Sequence, residues 1–160
     1  MYKTRNDLSA NVREQSVALL QQGLADAVDL FTQIKQAHWN VKGPNFIALH
    51  ELFDAIAQIA EDQSDLLAER VTALGGRADG TARVAARQSA LAEYPLDITT
   101  GIAHVTAVAE RLSAYGAAAR AAIDKAAQFG DADTAEIYTE ISREIDKQLW
   151  FVEAHLQTDK

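Results

Sequence analysis

Two imidazoles, His38 and His50, and three carboxylates, Asp54, Asp65 and Glu69, fall within 32 residues of one another. They stand in three short segments: His38-Trp39-Asn40-Val41-Lys42-Gly43, Leu49-His50-Glu51-Leu52-Phe53-Asp54 and Asp65-Leu66-Leu67-Ala68-Glu69-Arg70. Mixed imidazole and carboxylate donors suit divalent iron, manganese or zinc, with open positions left for water or an oxidant. On one helix, Asp54 lies about 40° around the axis from His50, Asp65 about 60° and Glu69 about 100°, so the four share a stripe. Leu49, Phe53, Ile56, Ala60 and Leu67 fall largely to one side of it, as a core face should.

A single helix cannot close such a site. Asp54 and Asp65 are separated by about 16 Å of helix rise, whereas ligands to one ion approach to about 2 Å. The His50–Glu69 and Asp54–Asp65 pairs, however, share one midpoint, between residues 59 and 60. If two copies of the helix pack antiparallel about a two-fold axis there, His50 faces the partner's Glu69 and Asp54 the partner's Asp65, giving two identical sites across an isologous interface. His38 completes the imidazole half if the 39–44 turn brings it beside the start of the second helix.

Each pair has a plainer reading on its own. His50 with Asp54 is an ordinary i,i+4 surface pair, and Asp65 with Glu69 is a like-charge pair that destabilises an isolated helix by about 0.2–0.5 kcal/mol. Set opposite an imidazole and a carboxylate, the like-charge pair invites a cation, so the full set favours function over its parts.

The elements that must position these residues are helices. The chain has 160 residues, two prolines and no cysteine, and is rich in Ala, Leu, Glu, Gln and Arg. One helix is expected from Ser9 or Asn11 to near His38. A second runs from Pro44 or Asn45 to the Gly75-Gly76 stop, a third from Asp97 or Ile98 to Phe129, and a fourth from Asp131 or Asp133 to about Leu156. Residues 75–97 read as a crossover with a short helical piece from Thr81 to Ser89. Four long helices and one long crossover suggest an all-α, ferritin-like four-helix bundle. It reads as a single domain over 1–160, with free tails at 1–8 and 157–160. The Glu-x-x-His pairs of an intrabundle diiron site do not occur, so the bundle shape is expected without that site.

Composition excludes several alternatives. Zero cysteines remove disulfide scaffolds, zinc fingers and thiol chemistry. With 23 acidic and 15 basic side chains, the net charge of −8 repels polyanions. There is no phosphate loop, no GxSxG elbow, no apolar membrane-span run and no secretion-signal core near the start, so the chain reads as soluble and cytoplasmic. His104 and His155 read as partly buried or surface histidines, and Trp150 as core or interface.

At His38 through Asp54 the chain matches H-W-x-V-x-G-x5-L-H-x3-D, and at Asp65 through Arg70 it matches D-x-x-A-E-R. From about residue 8 to 156 it resembles the Dps family of small dodecameric ferritins, with Ser64 departing from the usual apolar residue before the Asp. The resemblance implies that His38, His50 and Asp54 of one subunit, with Asp65 and Glu69 of its two-fold partner, bind iron at a ferroxidase centre. It implies a twelve-subunit homo-oligomer in which Fe(II) is oxidised, preferably by hydrogen peroxide, and stored as ferric mineral, so that DNA and cell are protected from oxidative damage. Trp39 resembles the family's tryptophan that supplies or traps an electron, an aromatic helix-end anchor being the plainer reading. The resemblance also implies that Glu136 and Asp146, at positions matching the acidic residues of the family's iron-entry pores, line such pores here, with Glu140 a weaker candidate.

The family name raises DNA contact, which needs basic tails. The start offers Lys3 and Arg5 against Asp7, and the end Lys160 against Asp159, while twelve copies at −8 each carry a formal −96. Direct DNA binding is therefore not expected. A nucleoid-associated DNA-compacting protein with little turnover, and a bundle with structural zinc or no metal, stand as the alternatives.

Overall fold

The computed structural model describes residues 1–157, and the expectations for Asp159 and Lys160 fall outside them. Among the described residues the elements are five helices: α1 (Ala10–Asn40), α2 (Phe46–Ala73), α3 (Ala82–Gln88), α4 (Gly101–Phe129) and α5 (Ala132–Glu153). The Ser9 hydroxyl accepts from the Val12 amide at the start of α1, and the Asp131 carboxylate from the Thr134 amide at the start of α5, each satisfying a donor that the first helical turn leaves free.

Boundaries differ from expectation where local chemistry supplies a turn or a cap. Gly43 adopts φ +112°, open mainly to glycine. The Phe46 amide donates to the Gly43 carbonyl, closing a turn through Pro44 and Asn45, so α2 begins at Phe46 rather than at the proline. Similarly, α4 starts at Gly101 and not at Asp97 or Ile98, because Leu96 and Asp97 turn and the Thr100 hydroxyl caps by accepting from the Ala103 amide. The last helix stops at Glu153 and continues to Leu156 only as a turn.

Two antiparallel hairpins make the bundle: α1 packs along α2 and α4 along α5, with α1 meeting α4 across the middle. Leu20, Leu30 and Ile34 of α1, Phe53, Ile56 and Leu67 of α2, Leu112 of α4, and Ile141 and Ile145 of α5 are fully buried between them. Burying such side chains is worth about 1.5–3 kcal/mol each. The crossover, carrying α3, is tied to a polar edge of α1. Gln21 donates to the Asp79 carbonyl, Gln22 to the Gln88 carbonyl and Gln33 to the Ala92 carbonyl, while Asp26 accepts from the Ala90 amide. Gly23 allows a close approach here, since a Cβ would lie 2.5 Å from the Tyr138 hydroxyl, which donates to the Leu19 carbonyl.

Two expectations require correction. The N-terminal segment is not free, because the Tyr2 amide donates to the Gly75 carbonyl at 2.6 Å. His104 is fully buried, since the crossover folds back over it, while His155 is half-buried. Trp150, read as core or interface, is exposed on the protomer, which removes the core reading and leaves the interface one.

Candidate metal centre

The short 41–45 connection holds the end of α1 beside the start of α2, and the two histidines are locked there by crossed hydrogen bonds. His38 Nδ1 lies 2.8 Å from the His50 carbonyl, and His50 Nδ1 lies 2.8 Å from the His38 carbonyl. A carbonyl only accepts, so each Nδ1 carries the proton and each Nε2 of the neutral ring keeps a lone pair. The rings stack at 3.8 Å between centroids. This is how metal-ligating imidazoles are usually oriented, with the far nitrogen bonded to a backbone carbonyl.

Asp54, one turn beyond His50, places Oδ1 3.8 Å from His38 Nε2. Its carboxylate is also held by Lys35, whose Nζ lies 2.6 Å from the same oxygen. That hydrogen bond, ahead of an opposing desolvation and helped by the Lys35 charge, holds the Asp54 carboxyl below its ordinary range. The Lys35 ammonium also stands 5.8 Å from the Trp39 ring centroid. Sequence reasoning missed Lys35, although its place one turn before His38 was the available signal.

A divalent ion approaching Asp54 must displace or tolerate that ammonium. Lys35→Met is expected to tighten Co(II) binding at neutral pH by roughly fivefold at low salt, because one like charge leaves the site. Asp54 stays ionised at that pH, since without the lysine its carboxyl rises only toward its ordinary value. Calorimetric titration of the metal-free protein checks this, and unchanged or weakened binding would count against Lys35 as a competitor.

The other two carboxylates stand apart. Asp65 and Glu69 are exposed toward the far end of α2, and among the described residues no three metal-ligating side chains of one protomer converge on a point that could hold an ion. The protomer thus stacks His38 on His50 with Asp54 beside His38, and leaves Asp65 and Glu69 separate. Next to Glu69, Arg70 anchors the end of α2 to the start of α5. Its Nη2 lies 2.7 Å from Asp131 Oδ1, and its Nε donates to the Thr134 hydroxyl at 3.2 Å. Sequence reasoning gave Arg70 no role beyond its place in the motif.

The remaining candidates are dispersed. Trp39 is exposed. Glu136 and Asp146 are exposed on α5 about 15 Å apart along the axis, and Asp146 is paired with Arg120 at 2.6 Å. Glu140 lines a groove between α2 and α5 with Asp62 and Glu144.

Known proteins share this arrangement. The ferritin-like domain family matches residues 17–160. The DNA protection during starvation protein of Agrobacterium fabrum is 43% identical over 156 residues, covering 98% of this chain and 96% of that one. Among solved structures, a Mycobacterium smegmatis Dps in a tetragonal form superposes with a TM-score of 0.92 at 30% identity, covering 98% of this chain and 95% of that one. An archaeal Dps homologue from Halobacterium salinarum gives 0.92 at 28% identity, over 99% and 88%. The chain belongs to the ferritin-like family and, within it, to the Dps proteins, the DNA protection during starvation proteins.

Proposed function

We propose that the protein is a ferroxidase and iron store that oxidises Fe(II), preferably with hydrogen peroxide, and keeps the ferric product inside a shell of twelve subunits. The observation that carries this reading is the crossed histidine pair, whose tautomers are already set so that both Nε2 atoms keep a lone pair, with that of His38 beside Asp54. Asp65 and Glu69 of a two-fold partner supply the missing carboxylates. Imidazole and carboxylate donors suit Fe(II) and keep positions open for the oxidant. Holding iron beside the oxidant removes the entropy of a chance encounter.

Electron balance sets the stoichiometry. Two Fe(II) ions give two electrons, and one hydrogen peroxide takes them with two protons to become two waters. No single-electron reduction of peroxide is needed, so no hydroxyl radical leaves the site. Protection of DNA named for the relatives then follows without DNA contact. The net charge and the docked start of the chain argue in the same direction. The cytoplasm, where Fe(II) and peroxide meet DNA, is the compartment that fits. Among the described residues no helix is long and apolar enough to cross a membrane.

The test is to load metal-free protein with Fe(II) anaerobically, add one peroxide per two Fe(II), and follow ferric absorbance with a hydroxyl-radical trap. Fast oxidation to a soluble product with little trapped radical is expected. Slow oxidation with precipitate and abundant radical would overturn the reading. A DNA gel shift of the intact shell at physiological salt, expected to be blank, separates it from a compaction role.

A further inference from the structure

Beside the exposed indole of Trp39, a cavity of about 510 Å³ lies between α1 and the last stretch of the crossover, and Tyr94 lines the same cavity. Tyr94 is 9% exposed, and its hydroxyl oxygen lies 2.7 Å from Nδ1 of His104, which is 1% exposed. His104 Nε2 is buried without a partner.

Two proton placements fit that geometry. If the phenol donates to Nδ1, the only orphan is the Nε2 proton. If Nδ1 donates instead, both the phenol proton and the Nε2 lone pair are orphaned. Unpaired buried polar groups each cost about 1–3 kcal/mol, so the phenol donates to a neutral imidazole. Burial reinforces this state by pushing the His104 imidazolium toward deprotonation and the Tyr94 phenol far above its ordinary range. Arg111 stands 5.8 Å from the phenol ring, is neutralised by Glu110 at 2.7 Å and is held by Gln33 and the Glu93 carbonyl.

An electron can leave such a phenol only together with its proton, because phenolate is inaccessible and the bare radical cation is a strong acid. The acceptor for that proton is already hydrogen-bonded. We propose that Tyr94 and His104 form a proton-coupled electron donor that refills Trp39 after an oxidant at the His38, His50 and Asp54 site has taken an electron from the indole. This rests on the ferroxidase reading for its oxidant, which is hydrogen peroxide present in excess over Fe(II).

The step balances. Peroxide takes one electron from Fe(II) and one from Trp39, with two protons, giving two waters. The oxidised indole then takes an electron from Tyr94, and any proton it has lost returns from solvent. The phenol O–H bond breaks and its proton forms a bond to His104 Nδ1. The product is a neutral phenoxyl radical beside an imidazolium. Storing that proton on a buried imidazole is costly because of desolvation, so a strong oxidant such as an indolyl radical drives the step while Fe(III) does not. The hole is parked inside the protein, away from DNA.

The test uses the metal-free assembled protein carrying Trp150→Phe, so that Trp39 is the remaining tryptophan. Azidyl radicals from pulse radiolysis oxidise the indole, and absorbance follows indolyl decay and phenoxyl growth. The expected result is coupled decay and growth that slow in D2O. With Tyr94→Phe added, the coupled phase should vanish and the indolyl radical persist at least tenfold longer. His104→Leu should slow transfer about tenfold or more, and His104→Gln, whose side-chain carbonyl still accepts, guards against a folding defect. Coupled growth that survives Tyr94→Phe, or the absence of a solvent isotope effect, would overturn the proposal. No iron is present, so failure of the ferroxidase reading leaves this outcome independent.

Discussion

Replacing Asp54 or Glu69 by alanine is expected to slow Fe(II) oxidation by at least about 100-fold, since loss of even an outer-shell partner at a metal site costs 10–100-fold. Each variant should assemble normally on size exclusion, because both side chains are exposed and outside the core. Combining them should cost little more than either alone, as expected of groups that act as a unit. A mixing experiment places the two carboxylates on different subunits. If protomers of the two variants are unfolded together and reassembled at equal amounts, half of the two-fold pairs are mixed. One of the two sites in each mixed pair then regains a complete donor set, and about a quarter of the native activity should return. Stopped-flow ferric absorbance reads the result. No recovery with intact assembly would mean that Asp54 and Glu69 do not meet across an interface.

The second large effect concerns Arg70. Asp131 is 1% exposed and its carboxylate faces the Arg70 guanidinium. Burial pushes the Asp131 carboxyl up, but hydrogen bonds outweigh it, chiefly from the Thr134 hydroxyl and amide with a smaller contribution from Arg70, and hold the group below its ordinary value of 3.8. Arg70→Met leaves that charge buried with its cation gone, at an expected cost of roughly 3–5 kcal/mol, measurable by urea denaturation at neutral pH. The sign with pH follows. A carboxyl lowered on folding contributes stability above its unfolded value, and that contribution is lost as pH falls through the folded value. Native protein should therefore hold its stability to below about pH 4, while in the variant, whose carboxyl rises, the deficit should be largest at neutral pH and shrink on acidification as the uncompensated carboxylate takes up its proton. A loss under about 1 kcal/mol, with unchanged acid behaviour, would show that water replaces the guanidinium. Since Glu69 precedes Arg70, ferroxidation should fall in the same variant.

How much of this was legible in the sequence depends on the range of the contact. The α2 face was readable because Leu49, Phe53, Ile56, Ala60 and Leu67 recur at helical spacing, and all five are buried. The helix starts at Ser9 and Asp131 were readable because their side chains cap locally. The Lys35–Asp54 pair was not, since it depends on how α1 crosses α2. Nor was the burial of His104, which is set by a crossover returning from the far side of the bundle. Periodicity on α4 places His104 on a face but says nothing of what covers that face. The candidate ligands were found by residue type and spacing, and the crossed Nδ1 bonds that orient two of them are visible only in three dimensions.

Those crossed bonds span only twelve residues, whereas the Arg70 to Asp131 tie spans 61. Short-range contacts close first in a folding chain because little loop entropy must be lost to make them. During synthesis, the α1–α2 hairpin can set its two imidazoles while α5 is still unmade. A nascent chain at that stage offers half a coordination sphere and has no partner with which to close it. Iron chemistry would then begin with assembly and not with translation, and a polysome carrying many unfinished chains stays poor in oxidising centres.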